Sequence, residues 1–110
     1  MTNVRISRQG RWLRGFEISG HSGYAERGED IVCAAISAIS QTAVLGITEV
    51  VRLKPFCKQD DAEGRLRVRL RSSDVGNRRA EAILRTMVVG LMNIQAQYPD
   101  FLRITFLKRR

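Results

Sequence analysis

No charged side chain occurs between Asp30 and Glu49, in a chain where 27% of residues are charged. An apolar interval of that length must be largely withdrawn from water, and it limits the fold more than any other feature. It contains Ser37, Ser40, Gln41, Thr42 and Thr48 and is short for a bilayer span of about 20 apolar residues. We read it as a buried helix starting near Asp30 and running toward Val51, with one face open to a subunit interface and no membrane contact. Pro55 sets its latest end. Ala34, Ala35, Ala38, Ala43 and Gly46 allow another element to pack closely against it.

The rest of the chain alternates with period two or repeats with period 3.6. Residues 3–7 place Val4 and Ile6 on one face, and residues 12–19 place Trp12, Phe16 and Ile18 on one parity. With Gln9-Gly10 as the turn, these form a hairpin. Residues 53–58 read as an edge strand, since Pro55 cannot donate to a ladder. After a turn at 60–64, residues 65–71 form the clearest strand: Leu66, Val68 and Leu70 point in, and Arg65, Arg67, Arg69 and Arg71 point out. Ser73 or Asp74 is the expected cap of a second helix. There Ala80, Ile83, Leu84, Met87, Val88, Leu91 and Met92 follow the i, i+3, i+4, i+7 spacing up to Pro99. Residues 101–107 are a last strand before the basic tail Lys108-Arg109-Arg110. The order ββαββαβ predicts an α+β fold: a single domain over 1–110 with a mixed or antiparallel sheet packed against two helices. The length suits one modest core and is too short for a large cofactor-rich enzyme.

The single histidine, His21, lies in a loop with Gly20, Gly23 and Gly28, and Cys33 follows in the first turn of the apolar helix. A cysteine nucleophile reacts as its thiolate, which a helix N-terminus and a neighbouring imidazolium both favour. The loop is long enough to fold back and bring the imidazole to the sulfur. The first-turn N–H groups would then be available to an oxyanion. Asp30 and Ser37 lie on the Cys33 side of the helix. Each residue also has a plainer reading: Cys33 as core filler, Asp30 as an N-cap whose charge opposes thiolate formation, and Ser37 as a hydroxyl bonded back to the Cys33 carbonyl. The N-terminus lacks the apolar run of a secretory signal, so Cys33 and Cys57 are expected to be reduced thiols in the cytoplasm. Cys57, near Lys54 and Lys58, reads as structural. His21, Cys33 and Cys57 lack the paired spacing of zinc ligands, so no metal is expected.

The segments Gly20-His21-Ser22-Gly23-Tyr24-Ala25 and Gly28-Glu29-Asp30-Ile31-Val32-Cys33-Ala34-Ala35-Ile36-Ser37 resemble the signature of the ribosomal-processing cysteine protease family, Prp. That pattern is G-H-A-x-Y, a short gap, then G-x-D-I-V-C-A-A-[VI]-S; Ser22 replaces the usual alanine. The length, the element order and Tyr98-Pro99 before the last strand extend the likeness over the whole chain. The resemblance implies a homodimeric endopeptidase, without metal or cofactor. It would remove the N-terminal extension from the precursor of large-subunit ribosomal protein twenty-seven, cutting after a pair of phenylalanines. It implies Cys33 as nucleophile and His21 as base, with Gly20, Asp30 and Ser37 in supporting positions and loop movement before substrate enters. Beside it, Glu26, Glu29 and Asp30 make the loop locally acidic, which suits a lysine-rich substrate. Tyr24 with Met87 or Met92 are candidates to line a groove for the aromatic pair.

With 19 Lys and Arg against 11 Asp and Glu, the net charge is +8, which favours acidic partners, RNA or a ribonucleoprotein first. The competing function is therefore a non-enzymatic RNA- or ribosome-binding module using the Arg65, Arg67, Arg69 and Arg71 face. A solvated basic face that keeps the sheet soluble accounts for the same residues.

Overall fold

The computed structural model describes residues 1–20, 30–62 and 64–107. His21, Tyr24, Glu26, Glu29 and the basic tail lie outside the described residues. Strands β1 (Thr2–Gln9), β2 (Trp12–Ser19), β3 (Phe56–Asp60), β4 (Arg65–Arg69) and β5 (Leu102–Phe106) form one sheet in the order β3-β4-β2-β1-β5. The β1–β5 pair is parallel and the other three are antiparallel, so the sheet is mixed. Helices α1 (Ile31–Leu45) and α2 (Arg78–Gln97) complete the expected ββαββαβ order.

The core lies in one layer between helices and sheet. Val4, Ile6, Phe16, Ile18, Leu66 and Val68 meet Val32, Ile36 and Ile47 from the first helical segment and Leu84, Met87 and Leu91 from α2, all buried. Among the described residues no helix covers the other face of the sheet. α1 continues through a single π-helical segment, Gly46–Val50, closed by a Val51 N–H bond to the Gly46 carbonyl at 3.0 Å. The 20-residue stretch Ile31–Val50 is apolar and long enough to cross a membrane. It is buried on one face only, through Val32, Ile36, Ser40, Ala43 and Ile47, while Ile31, Leu45 and Val50 are exposed. The expectation of a buried helix thus holds for half its circumference.

The parity expected for the second strand breaks at a β-bulge. Ser7 pairs with Gly15 but Arg8 pairs with Leu13, so Arg14 is the extra residue. Leu13 turns into the core together with Phe16 and Ile18, and Trp12 stays half-buried. The bulge frees the Leu13 N–H from the ladder, and buried Glu81 of α2 accepts it at 2.9 Å. The other Glu81 oxygen pairs with Arg85 one turn on. Gly15 is required by the neighbouring strand, because a Cβ there would stand 2.1 Å from the Val68 carbonyl oxygen.

Two further boundaries differ from the sequence reading. α2 is capped by Asn77, whose side-chain oxygen accepts from the Arg79 and Ala80 amides at 3.0 Å, rather than by Ser73 or Asp74. Those two residues lie in a short 3₁₀ turn, Ser72–Asp74, and Gly76 at φ +93° redirects the chain before the helix begins. β3 is the expected edge strand but starts after Pro55: Arg52 takes φ 66°, and the Leu53 amide is tied to the Ile47 carbonyl, so residues 53–55 lie outside the ladder.

Candidate active site

Asp30 is the N-cap of α1. Its backbone is extended, with φ −77° and ψ 98°, and its Oδ1 accepts the Cys33 amide at 2.8 Å. The carboxylate is buried, 8% exposed. Cys33 sits in the first helical turn and is partly exposed, not core filler. The cap also corrects one expectation: the Cys33 amide is bonded to Asp30 and is not a free first-turn donor for an oxyanion.

Cys33 lines a cleft of about 270 Å³ between α1 and the β3–β4 end of the sheet. Ile36, Ser37, Ser40 and Gln41 extend the helical wall; Gln59, Asp61, Gly64 and Arg65 form the opposite wall; Thr2 and Ile18 lie on the sheet side. Ser37 is exposed, and its hydroxyl oxygen accepts from the Gln41 amide at 3.0 Å instead of bonding back to the Cys33 carbonyl. Ser40 is buried and donates to the Ser37 carbonyl at 3.1 Å. Thr2 Oγ1 is buried without a hydrogen-bond partner among the described residues.

Gly20 and Asp30, the described residues on either side of positions 21–29, both lie next to residues of this cleft. Gly20, at φ +85°, precedes that segment, and a Cβ on Gly20 would stand 2.8 Å from the Met1 carbonyl oxygen, beside cleft-lining Thr2. Asp30 follows it and caps the helix that bears the sulfur. Cys33 and Ser37 thus share the helical wall of the cleft, Asp30 bonds to the first of them and Gly20 lies beside Thr2 on the sheet side, while the geometry of His21, Tyr24, Glu26 and Glu29 lies outside the described residues.

The methionines do not belong to this cleft. Met87 is buried in the core and borders a separate groove between α1 and α2, and Met92 is exposed on α2. Cys57 is likewise not structural: it is an exposed free thiol on edge strand β3. Among the described residues no three His, Cys, Asp or Glu side chains converge as a metal site. The sequence reading missed Thr2, Ser40, Gln41, Gln59, Asp61 and Arg65 as cleft residues. Gln41 follows the helical i+4 step from Ser37 and was locally legible, whereas the β3–β4 residues reach the cleft only through the strand order.

A partly exposed cysteine in the opening turn of a helix, beside a cleft on a small two-layer α+β scaffold, is placed as a thiol nucleophile of a hydrolase can be. Residues 1–103 match the family described as Cysteine protease Prp. The Ribosomal processing cysteine protease Prp of Staphylococcus aureus is 36% identical over 92 residues, which cover 81% of this chain and 82% of the relative. Its namesake in Bacillus subtilis is 29% identical over 92 residues, 82% of each chain. The structure of the S. aureus protease with a covalently linked product peptide matches with a TM-score of 0.90 at 30% identity, covering 97% of this chain and 100% of the other. The chain belongs to the Prp family of cysteine proteases.

Proposed function

We propose that this protease removes the N-terminal extension from the precursor of large-subunit ribosomal protein twenty-seven, with Cys33 as nucleophile and His21 as its acid–base partner. The observation that carries the reading is the position of Cys33: first turn of α1, partly exposed at the cleft, in a helix start fixed by Asp30. Two findings on relatives support it. The S. aureus protease is named for ribosomal processing, and its structures hold a substrate peptide or a covalently linked product peptide.

In the reaction, Cys33 Sγ attacks the scissile carbonyl carbon and the extension becomes a thioester on the sulfur. His21 delivers the proton to the leaving amine, which becomes the mature N-terminus. Water, deprotonated by His21, then hydrolyses the thioester and restores the thiol. Asp30 and Gly20 position the two ends of the His21 segment, and Ser37 holds the helical wall through Gln41. Tyr24, Glu26 and Glu29 contact the substrate flanks, and opening of their loop admits the peptide.

The enzyme acts in the cytoplasm as a homodimer. The groove between α1 and α2, about 680 Å³, is lined by Ala38, Thr42, Gly46, Val50, Ala82 and Gly90 among others, and a second copy covers it. The support is the exposed half of an uncharged helix whose other half belongs to the core. On this reading Thr42→Glu is monomeric by light scattering; an unchanged mass removes the groove as the interface.

The test of function incubates the purified protein with recombinant precursor and sequences the product N-terminus. The expected result is one cut that releases the extension, absent for Cys33→Ala and His21→Ala. An intact precursor, or full turnover by Cys33→Ala, contradicts the proposal.

A further inference from the structure

We propose that the helix-free face of the sheet is a docking surface for single-stranded RNA, through which the enzyme is held on ribosomal RNA while its cleft stays open. The strand register brings to that face cations that are scattered in the sequence. Arg65, Arg67 and Arg69 form a column on β4, Lys58 lies across from Arg67 on edge strand β3, and Arg5 and Arg103 lie on β1 and β5. All six are exposed. Arg67 pairs with Glu17 at 2.7 Å, and Asp60 lies across from Arg65, so six cations face two carboxylates here.

The dimensions match a polyanion rather than a small ion. With about 3.3 Å per residue, the column spans roughly 13 Å, and four strand gaps of about 4.8 Å give the field a width near 19 Å. That is room for a few consecutive phosphates of an extended strand. Phe56, 57% exposed, lies across from Arg69 on the same face. An aromatic ring beside arginines on an open sheet is a platform on which an unpaired base stacks while its phosphates meet the cations. The helix layer lies on the opposite side, and of the six cations only Arg65 also reaches the wall of the Cys33 cleft, so a strand held by the other five leaves the cleft mouth open. Choosing RNA among nucleic acids rests on the ribosomal-processing reading above. The binding assay is independent of cleavage, so either can fail alone.

The test measures anisotropy of a labelled 12-nucleotide oligouridine with the full chain at 50 to 200 mM salt. Engagement of about three phosphates, at a log–log slope of about −0.7 each, weakens binding roughly 20-fold over that range. Arg5→Gln/Arg69→Gln, neither residue lining the cleft, is expected to reduce the slope to about a third, with peptide cleavage unchanged. Phe56→Ala is expected to weaken binding at least fivefold at constant slope. Arg78→Gln/Arg79→Gln removes equal charge from the helix layer and is expected to leave RNA binding as it was. The proposal is overturned by no binding at 50 mM salt, by equal losses in the two arginine pairs, by an unaffected Phe56→Ala protein, or by phosphatidylserine vesicles binding as tightly as the RNA.

Discussion

Replacing Asp30 separates what its shape does from what its charge does. Oδ1 accepts the Cys33 amide at 2.8 Å in a site only 8% exposed. Asp30→Ala removes that acceptor and leaves a first-turn donor without its partner, which typically costs about 1 kcal/mol and up to about 2 where the cap is well buried. Taking about 1.5 kcal/mol, and about 4 °C per kcal/mol for a domain of this length, the melting midpoint falls by roughly 6 °C. Asp30→Asn keeps a side-chain oxygen in the same place and gives up the favourable interaction of a carboxylate with the helix dipole, about 0.5 kcal/mol, or about 2 °C. The assay is thermal denaturation followed by circular dichroism, run beside precursor cleavage. Equal destabilisation of the two variants, or an unshifted midpoint for Asp30→Ala, refutes the cap argument. A drop in kcat for Asp30→Asn at a near-native midpoint assigns the charge itself a part in the reaction.

Glu81→Ala strips the acceptor from the buried Leu13 amide at the bulge and is expected to cost about 2–3 kcal/mol in urea unfolding, with Glu81→Gln losing about 1 or less; equal, small losses would show that the bulge is held otherwise. Thr2→Val removes a buried hydroxyl that has no hydrogen-bond partner among the described residues and is expected to stabilise the chain by about 1 kcal/mol, whereas destabilisation would mean the hydroxyl is bonded in solution. Gly20→Ala forces a Cβ against the Met1 carbonyl at φ +85°, with an expected cost of about 1–3 kcal/mol and a parallel loss of cleavage; an unaffected variant would contradict the close approach.

What could be read in advance was local. An Asp three residues before a cysteine at the start of an apolar run is a cap by its own chemistry, and the alternation Leu66, Val68, Leu70 needs no partner to identify its inner face. The misread boundaries depend on contacts far apart in the chain. Arg14 is the extra residue of a bulge because Glu81, on α2, waits for the Leu13 amide. Ser73, Asp74 and Asn77 are all competent cappers, and the turn through Gly76 decides among them. Hydrophobic pattern assigns faces but not neighbours, so the order β3-β4-β2-β1-β5 was closed to sequence reading. With it went the far wall of the cleft, Gln59, Asp61 and Arg65. The same order adds Arg5, Lys58 and Arg103 to the arginines of β4 on the open face.

The proposed mechanism passes through a thioester between Cys33 Sγ and the extension. Because Cys57 is also exposed, the measurement uses a Cys57→Ser background. Enzyme and precursor are mixed, quenched in acid within a turnover and weighed intact, and the adduct is then mapped by digestion. The account requires a hydroxylamine-sensitive adduct with the mass of the released extension on Cys33, missing from Cys33→Ala and His21→Ala. Cleavage at the native rate with no adduct on Cys33, or an adduct on another side chain, would contradict it.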